Sequence, residues 1–189
     1  MYNKTVKTAE KGSAVMDLIP SFSVDHTRIV PGIFESRVDV LGEELVTTFD
    51  IRLKKPNAEP AIAPAAMHTI EHVVATYLRN HAEWKDKLVY WGPMGCLTGF
   101  YIIVKGRPAA SEMYPIMLEA FRYMSGFEGD VPGATPENCG NYLMHDLPMA
   151  KWEAKRYVEY LESADKSLIF EYPKTERLTL DGNVEFFDS

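Results

Sequence analysis

The chain has 189 residues, 46% of them hydrophobic, and a formal net charge of −7. That length suits one domain with a substantial core, and no apolar run is long enough to span a bilayer. The acidic balance argues against a nucleic-acid surface.

Residues 1–20 carry Lys4, Lys7 and Lys11 but lack the apolar centre of a signal peptide. They read as a loose N-terminal arm on a cytoplasmic protein with no membrane partner. In that setting Cys96 and Cys139 are expected to be thiols for metal or catalysis rather than a disulfide. Ile33 to Val40 and Glu44 to Leu53 read as strands joined by the Leu41-Gly42-Glu43 turn. Lys54 to Pro60 is a polar loop. Pro64 fits a first helical turn, and Ala65 to Trp84 contains neither Gly nor Pro. Within it Ile70, Val73, Val74, Tyr77 and Leu78 recur at helical spacing.

Asp86 to Trp91 reads as a short strand, Gly92-Pro93-Met94-Gly95 as a turn, and Gly99 to Lys105 as a central apolar strand. Ser111 is placed to cap a helix reaching Met124, with Pro115 in its first turn. Phe127 to Asn138 is a Gly/Pro-rich loop. Pro148 to Ser163 reads as a helix with Trp152, Tyr157, Val158 and Leu161 inward and Glu153, Glu159 and Glu162 solvated. The tail, Arg177 to Phe187 with an Asp181-Gly182 turn, reads as an additional edge strand. This order favours a single-domain α+β fold, an antiparallel sheet with helices packed on one face.

Met67-His68-Thr69-Ile70-Glu71-His72 carries the chemistry. On a helix His68 and His72 are one turn apart and project from one side, so both can reach one ion. Glu71 sits beside that direction. Two imidazoles suit borderline divalent metals, and a third ligand that leaves one position open makes such a site catalytic. Cys139, after the long loop, is the candidate third ligand; its plain alternative is a half-buried loop thiol. Cys96, among small residues at the start of an apolar strand, is either a reactive thiol or a buried structural one. His81 reads as a solvated or capping residue, and His145 as structural near the start of the last helix.

Taken together, these stretches resemble the S-ribosylhomocysteine lyase (LuxS) family. The likeness rests on His68 to His72, on Gly92 to Tyr101, and on Cys139-Gly140 with His145-Asp146-Leu147. Ser21 to His26 and Phe49-Asp50-Ile51-Arg52 agree in order and spacing. The resemblance runs from about Ser21 to Lys166. It implies a catalytic domain over residues 21–166, between the arm at 1–20 and a C-terminal extension at 167–189. It also implies one divalent ion per chain, iron(II) natively or zinc or cobalt, held by His68, His72 and Cys139. Glu71 and Cys96 would be the acid/base pair. Ser21, His26 and Arg52 would hold the ribose, and Arg79 would reach the homocysteine end. The family is a homodimer with its sites at the interface, and it makes the precursor of a quorum-sensing signal.

The implied reaction explains the residue types. Two aldose–ketose shifts move the carbonyl of S-ribosylhomocysteine until β-elimination can expel homocysteine, leaving 4,5-dihydroxy-2,3-pentanedione. Each shift needs a base for a carbon-bound proton and a stabiliser for negative charge on oxygen. One position departs from the family: Tyr90 stands where an aspartate is usual, six residues before Cys96. A substrate contact through its hydroxyl is the expectation there. Two other readings stay open. His-x-x-Glu-His is also the inverted metallopeptidase signature, and a non-catalytic relative would keep the metal site alone.

Overall fold

The computed structural model describes residues 24–173, 175–178 and 184–187. Ser21, the arm over residues 1–20 and the Asp181-Gly182 turn lie outside the described residues. Four strands form one antiparallel sheet: β1 (Gly32–Leu41), β2 (Glu44–Arg52), β3 (Leu88–Pro93) and β4 (Gly99–Lys105), in the order β1-β2-β4-β3. Three long helices, α1 (Pro64–Asn80), α2 (Ala110–Gly126) and α3 (Leu147–Ser163), are followed by the single turn α4 (Lys166–Ile169). This is the α+β fold expected from the order of periodic segments.

Alternation along β2 decides where the chemistry can sit. Thr47, Phe49 and Ile51 pair with Val104, Ile102 and Phe100, and the last two pairs lie in the core beneath the helices. Thr48, Asp50 and Arg52 pair with Ile103, Tyr101 and Gly99, so they point from the opposite face. The helices cover the apolar face through Met67, Ile70 and Val74 of α1 and Met117 and Phe121 of α2, all buried. Each such side chain contributes roughly 1.5–3 kcal/mol by leaving water. The charged face is left to the site. Gly99 is required at the start of β4, because a Cβ there would collide with the backbone carbonyl of Ile51.

Several local expectations are corrected. The first helix ends at Asn80 rather than Trp84, because His81 turns extended and caps it through its N–H to Leu78 O at 3.3 Å. That meets the capping expectation for His81. The third strand runs two residues further, through Pro93, which puts Cys96 inside the turn rather than on a strand. Helix α2 begins at Ala110, so Ser111 is not its cap and Pro115 falls in the second turn. Its first turn is held instead by Glu112, whose carboxylate accepts the Ala109 N–H at 2.7 Å. Trp152 is 51% exposed, and Glu153 is the residue that turns inward. Glu153 is buried because Lys54, at the end of β2, meets it at 2.6 Å. Trp152 lies outside, under the cations of Lys54 and Arg156. Among the described residues the tail adds no edge strand to the main sheet: β5 (Thr175–Leu178) and β6 (Val184–Phe187) pair with each other.

Candidate metal centre and the arginine–cysteine cluster

His68 and His72 emerge from the first half of α1 with ring centroids 4.5 Å apart and planes perpendicular. Each uses Nδ1 on a backbone carbonyl of the 131–145 loop. His68 reaches Met144 O at 2.9 Å and His72 reaches Pro132 O at 2.7 Å. A carbonyl only accepts, so both Nδ1 atoms carry the proton and both Nε2 lone pairs are free for a metal. The loop can pass this close because Gly133, at φ 69°, takes a left-handed conformation beside the His72 ring. Turns at Thr135 then bring Cys139 back, with its Sγ 3.4 Å from His68 Nε2. Ligands around one tetrahedral ion are about 3.3–3.8 Å apart, given metal–ligand distances near 2.0–2.3 Å. The Cys139 sulfur also accepts the Asn141 N–H at 3.4 Å.

A fourth donor joins them. The ligand atoms of His68, His72, Cys139 and His145 all lie within 4.8 Å of one another. Thr69 fixes the His145 tautomer. Its hydroxyl donates its only proton to Ala65 O at 2.8 Å and accepts the Asp146 N–H at 2.9 Å. Its 3.2 Å contact with His145 Nδ1 must therefore be a bond that the imidazole donates. His145 Nε2 is left as a buried lone pair with no hydrogen-bond partner among the described residues. Burial, then the neighbouring His68 and His72, hold the His145 pKa below its ordinary value, which keeps that lone pair available. Two imidazoles, a cysteine sulfur and an orphaned imidazole nitrogen are a donor set that suits a borderline divalent ion.

The second cluster lies on the open face of the sheet. Arg52 is clamped by Asp50 through Nε to Oδ1 at 3.1 Å and Nη2 to Oδ2 at 2.5 Å. Its remaining nitrogen, Nη1, donates to Thr98 Oγ1 at 2.6 Å and lies 3.8 Å from Cys96 Sγ. Cys96 and Thr98 are themselves 3.0 Å apart. Cys96 is exposed on a turn in which Leu97 adopts φ 57°. A non-glycine residue there stores roughly 1–3 kcal/mol of strain. Burial raises the Asp50 carboxyl pKa, and Arg52 and then Tyr172 act against that rise. His26, Ser36, Asp50, Arg52, Tyr101 and Tyr172 line one small cavity, so the sheet brings His26 and Arg52 together as a pair. Among the described residues no hydrogen bond or ion pair joins this cluster to the histidines.

The other expected site residues are dispersed. Glu71 is half-buried beside His72 and makes no hydrogen bond or ion pair among the described residues. Arg79 is exposed two turns further along α1 and reaches Val89 O at 3.4 Å. Tyr90 is 46% exposed on the open sheet face, near Arg37, Thr48 and Tyr101. From the sequence alone Thr98 and Tyr172 are not marked as site residues, Asp50 stands only within a motif, and His145 reads as structural. Asp50 carried a signal: two opposite charges at i and i+2 in an apolar strand must share one face.

Comparison with known proteins agrees with this geometry. The family described as S-Ribosylhomocysteinase (LuxS) matches residues 19–167. The chain is 57% identical over 162 residues to the S-ribosylhomocysteine lyase of Phocaeicola vulgatus, covering 85% of this chain and all of that protein. It is 54% identical over 143 residues to the enzyme of the same name from Porphyromonas gingivalis, covering 76% and 90% of the two chains. For the Clostridium beijerinckii enzyme of that name the identity is 46% over 157 residues, covering 82% and 99%. With its histidine pair, loop thiol and Arg52–Cys96 cluster inside the matched region, this chain belongs to the S-ribosylhomocysteinase (LuxS) family.

Proposed function

We propose that this chain is an S-ribosylhomocysteine lyase, cleaving S-ribosylhomocysteine to homocysteine and 4,5-dihydroxy-2,3-pentanedione. The observation that carries the proposal is the convergence of His68, His72 and Cys139, each imidazole already turned to offer Nε2. These three would hold one divalent ion, iron(II) or its zinc or cobalt substitutes. When bound, the ion supplies Lewis-acid stabilisation of the negative charge that develops on the sugar oxygens. Cys96 takes the proton from carbon and returns it to the neighbouring carbon, in the thiolate form that is the reactive state of cysteine. Glu71, adjacent to His72, moves protons between the oxygens and assists expulsion of the thiol. Arg52, with its charge held by Asp50, orients the sugar together with His26 and Ser21. Arg79 serves the homocysteine end, and Tyr90 offers a hydroxyl where the family has a carboxylate.

A homodimer with shared sites is part of this reading. It is supported by the two clusters lying apart, with no hydrogen bond or ion pair between them among the described residues. It is supported also by an open sheet face that carries Tyr90, Tyr101 and Ile103 and lies opposite the helices. A twofold pair of chains is the ordinary way to complete such a site. The metallopeptidase alternative needs a downstream glutamate as third ligand, and the cluster of described residues holds a thiol instead.

The test is direct. Metal-loaded protein is incubated with S-ribosylhomocysteine and free thiol is followed with a chromogenic disulfide. One equivalent of thiol per substrate is expected. Loaded, folded protein that releases none refutes the proposal.

A further inference from the structure

The chain continues past residue 167, where the family match ends, and the structure gives the next few residues a defined place. Asp165 starts the short helix α4 by accepting the Ser167 N–H at 2.9 Å. Ile169 is then buried in the core under the helices. At this point the chain passes the β1 edge of the sheet. Its backbone runs so close to Gly32 that a Cβ there would meet Ile169 O at 2.6 Å. Tyr157 of α3 secures the same edge, donating its hydroxyl to Gly32 O at 2.8 Å. Beyond the edge, Tyr172 lies on the opposite face. Its ring stacks on Phe34 at 4.8 Å with the planes 13° apart. Phe34 pairs with Asp50 across the strands, so both occupy the open face. The Tyr172 hydroxyl donates to Asp50 Oδ2 at 3.0 Å.

Asp50 is thus held from both sides, by Arg52 and by a residue of the C-terminal extension. Without Tyr172, Oδ2 would keep only the Arg52 contact and the carboxylate could rotate away from the fork. The Asp50 fork fixes the plane of the guanidinium, and that plane aims Nη1 at Thr98 and Cys96. A bidentate arginine–carboxylate pair is specific in geometry because both groups are planar. Burial and then the adjacent Asp50 carboxylate push the Tyr172 phenol well above its ordinary pKa. It therefore stays a donor throughout the physiological range.

We propose that Tyr172 is a positioning residue for the site: its hydroxyl, through Asp50, sets the orientation of Arg52 at Cys96, and its ring forms one wall of the His26–Arg52 cavity. The kinetic half of this statement rests on the lyase reading above. The orientation half does not.

The test uses the full-length chain. Tyr172→Phe keeps the ring on Phe34 and removes only the hydroxyl, and Tyr172→Leu removes both. Two readouts are taken. The first is solvent exchange of the Arg52 Nε–H by ¹⁵N NMR, the resonance being assigned by its loss in Arg52→Lys. Tyr172→Phe should speed that exchange about tenfold while lowering the unfolding midpoint by no more than the loss of one hydrogen bond. The second is steady-state thiol release. Tyr172→Phe should lower kcat about tenfold with KM within twofold, and Tyr172→Leu should also raise KM. Unchanged Arg52 exchange in Tyr172→Phe overturns the proposal, whatever the activity. Altered exchange with unchanged kcat overturns the link to turnover. Wild-type protein that releases no thiol would sink the lyase reading and leave the exchange result to decide the orientation.

Discussion

The buried ion pair between Lys54 and Glu153 invites a quantitative test. The side chains are 4% and 7% exposed, and Nζ and Oε2 are 2.6 Å apart. Glu153→Ala leaves an ammonium in the core with no counter-charge, which costs about 3–5 kcal/mol when a buried pair is broken from one side. A domain of this size is stable by about 5–15 kcal/mol, so the variant loses about a fifth of its margin or more. With a urea m-value of about 1–3 kcal/mol/M, the midpoint should fall by roughly 2 M. Replacing both partners, as in Lys54→Met with Glu153→Leu, removes the desolvation penalty along with the attraction. That double variant should sit near wild type or up to about 1–4 kcal/mol above it. Equilibrium urea unfolding of wild type, Lys54→Met, Glu153→Leu and the double variant completes a double-mutant cycle. Strict additivity, or a Glu153→Ala loss below about 1 kcal/mol, would refute the reasoning. The result bears on function, because the backbone N–H groups of Leu53 and Lys54 both bond Thr98 O at 3.0 Å, beside the Arg52 cluster.

Cys96→Ala and Glu71→Gln should each lower thiol release by about 10²–10⁴-fold. Metal content by elemental analysis should stay at the wild-type level, and loss of the metal in either variant would contradict the division of roles. Cys139→Ala should lose metal and activity together after dialysis; full metal retention would remove it from the ligand set. His145→Ala should weaken metal retention by about 10–100-fold in competition with a chelator, the range found for groups that support metal ligands. An unchanged affinity would mean that its buried lone pair does not face the ion.

What the sequence revealed, and what it hid, follows from how local each signal is. The His68/His72 pair was legible because helical spacing alone puts i and i+4 on one side. The β1–β2 hairpin was legible because its two strands are adjacent in the chain. Glu153 and Trp152 read the wrong way round from the sequence because the deciding partner of Glu153, Lys54, lies about a hundred residues away. Nothing within α3 distinguishes a glutamate that meets a lysine from one that meets water. His145 reads as structural for a related reason. Its contact with Thr69 spans 76 residues of sequence, and like its Nε2 direction it depends on how the loop folds back over α1. Tyr172 had no periodic signal at all, since its role arises where the chain rounds an edge of the sheet.

The turn at residues 94–98 links these pieces and explains why the strain at Leu97 is tolerated. Leu97 O accepts the Ile62 N–H at 2.9 Å, two residues before α1 begins, and Thr98 O accepts from Leu53 and Lys54. Met94 closes the turn with its N–H on Gly99 O at 2.9 Å, and its own carbonyl takes the Leu97 N–H. Five backbone bonds therefore hold a conformation that Leu97 alone disfavours. The same bonds fix Cys96 relative to Arg52, through Thr98, and relative to the start of the helix that carries His68 and His72. A relaxed turn would free Leu97 from its left-handed conformation but would uncouple the thiol from both. The strain is thus local, and what it maintains is the placement of one exposed sulfur beside the Arg52 guanidinium.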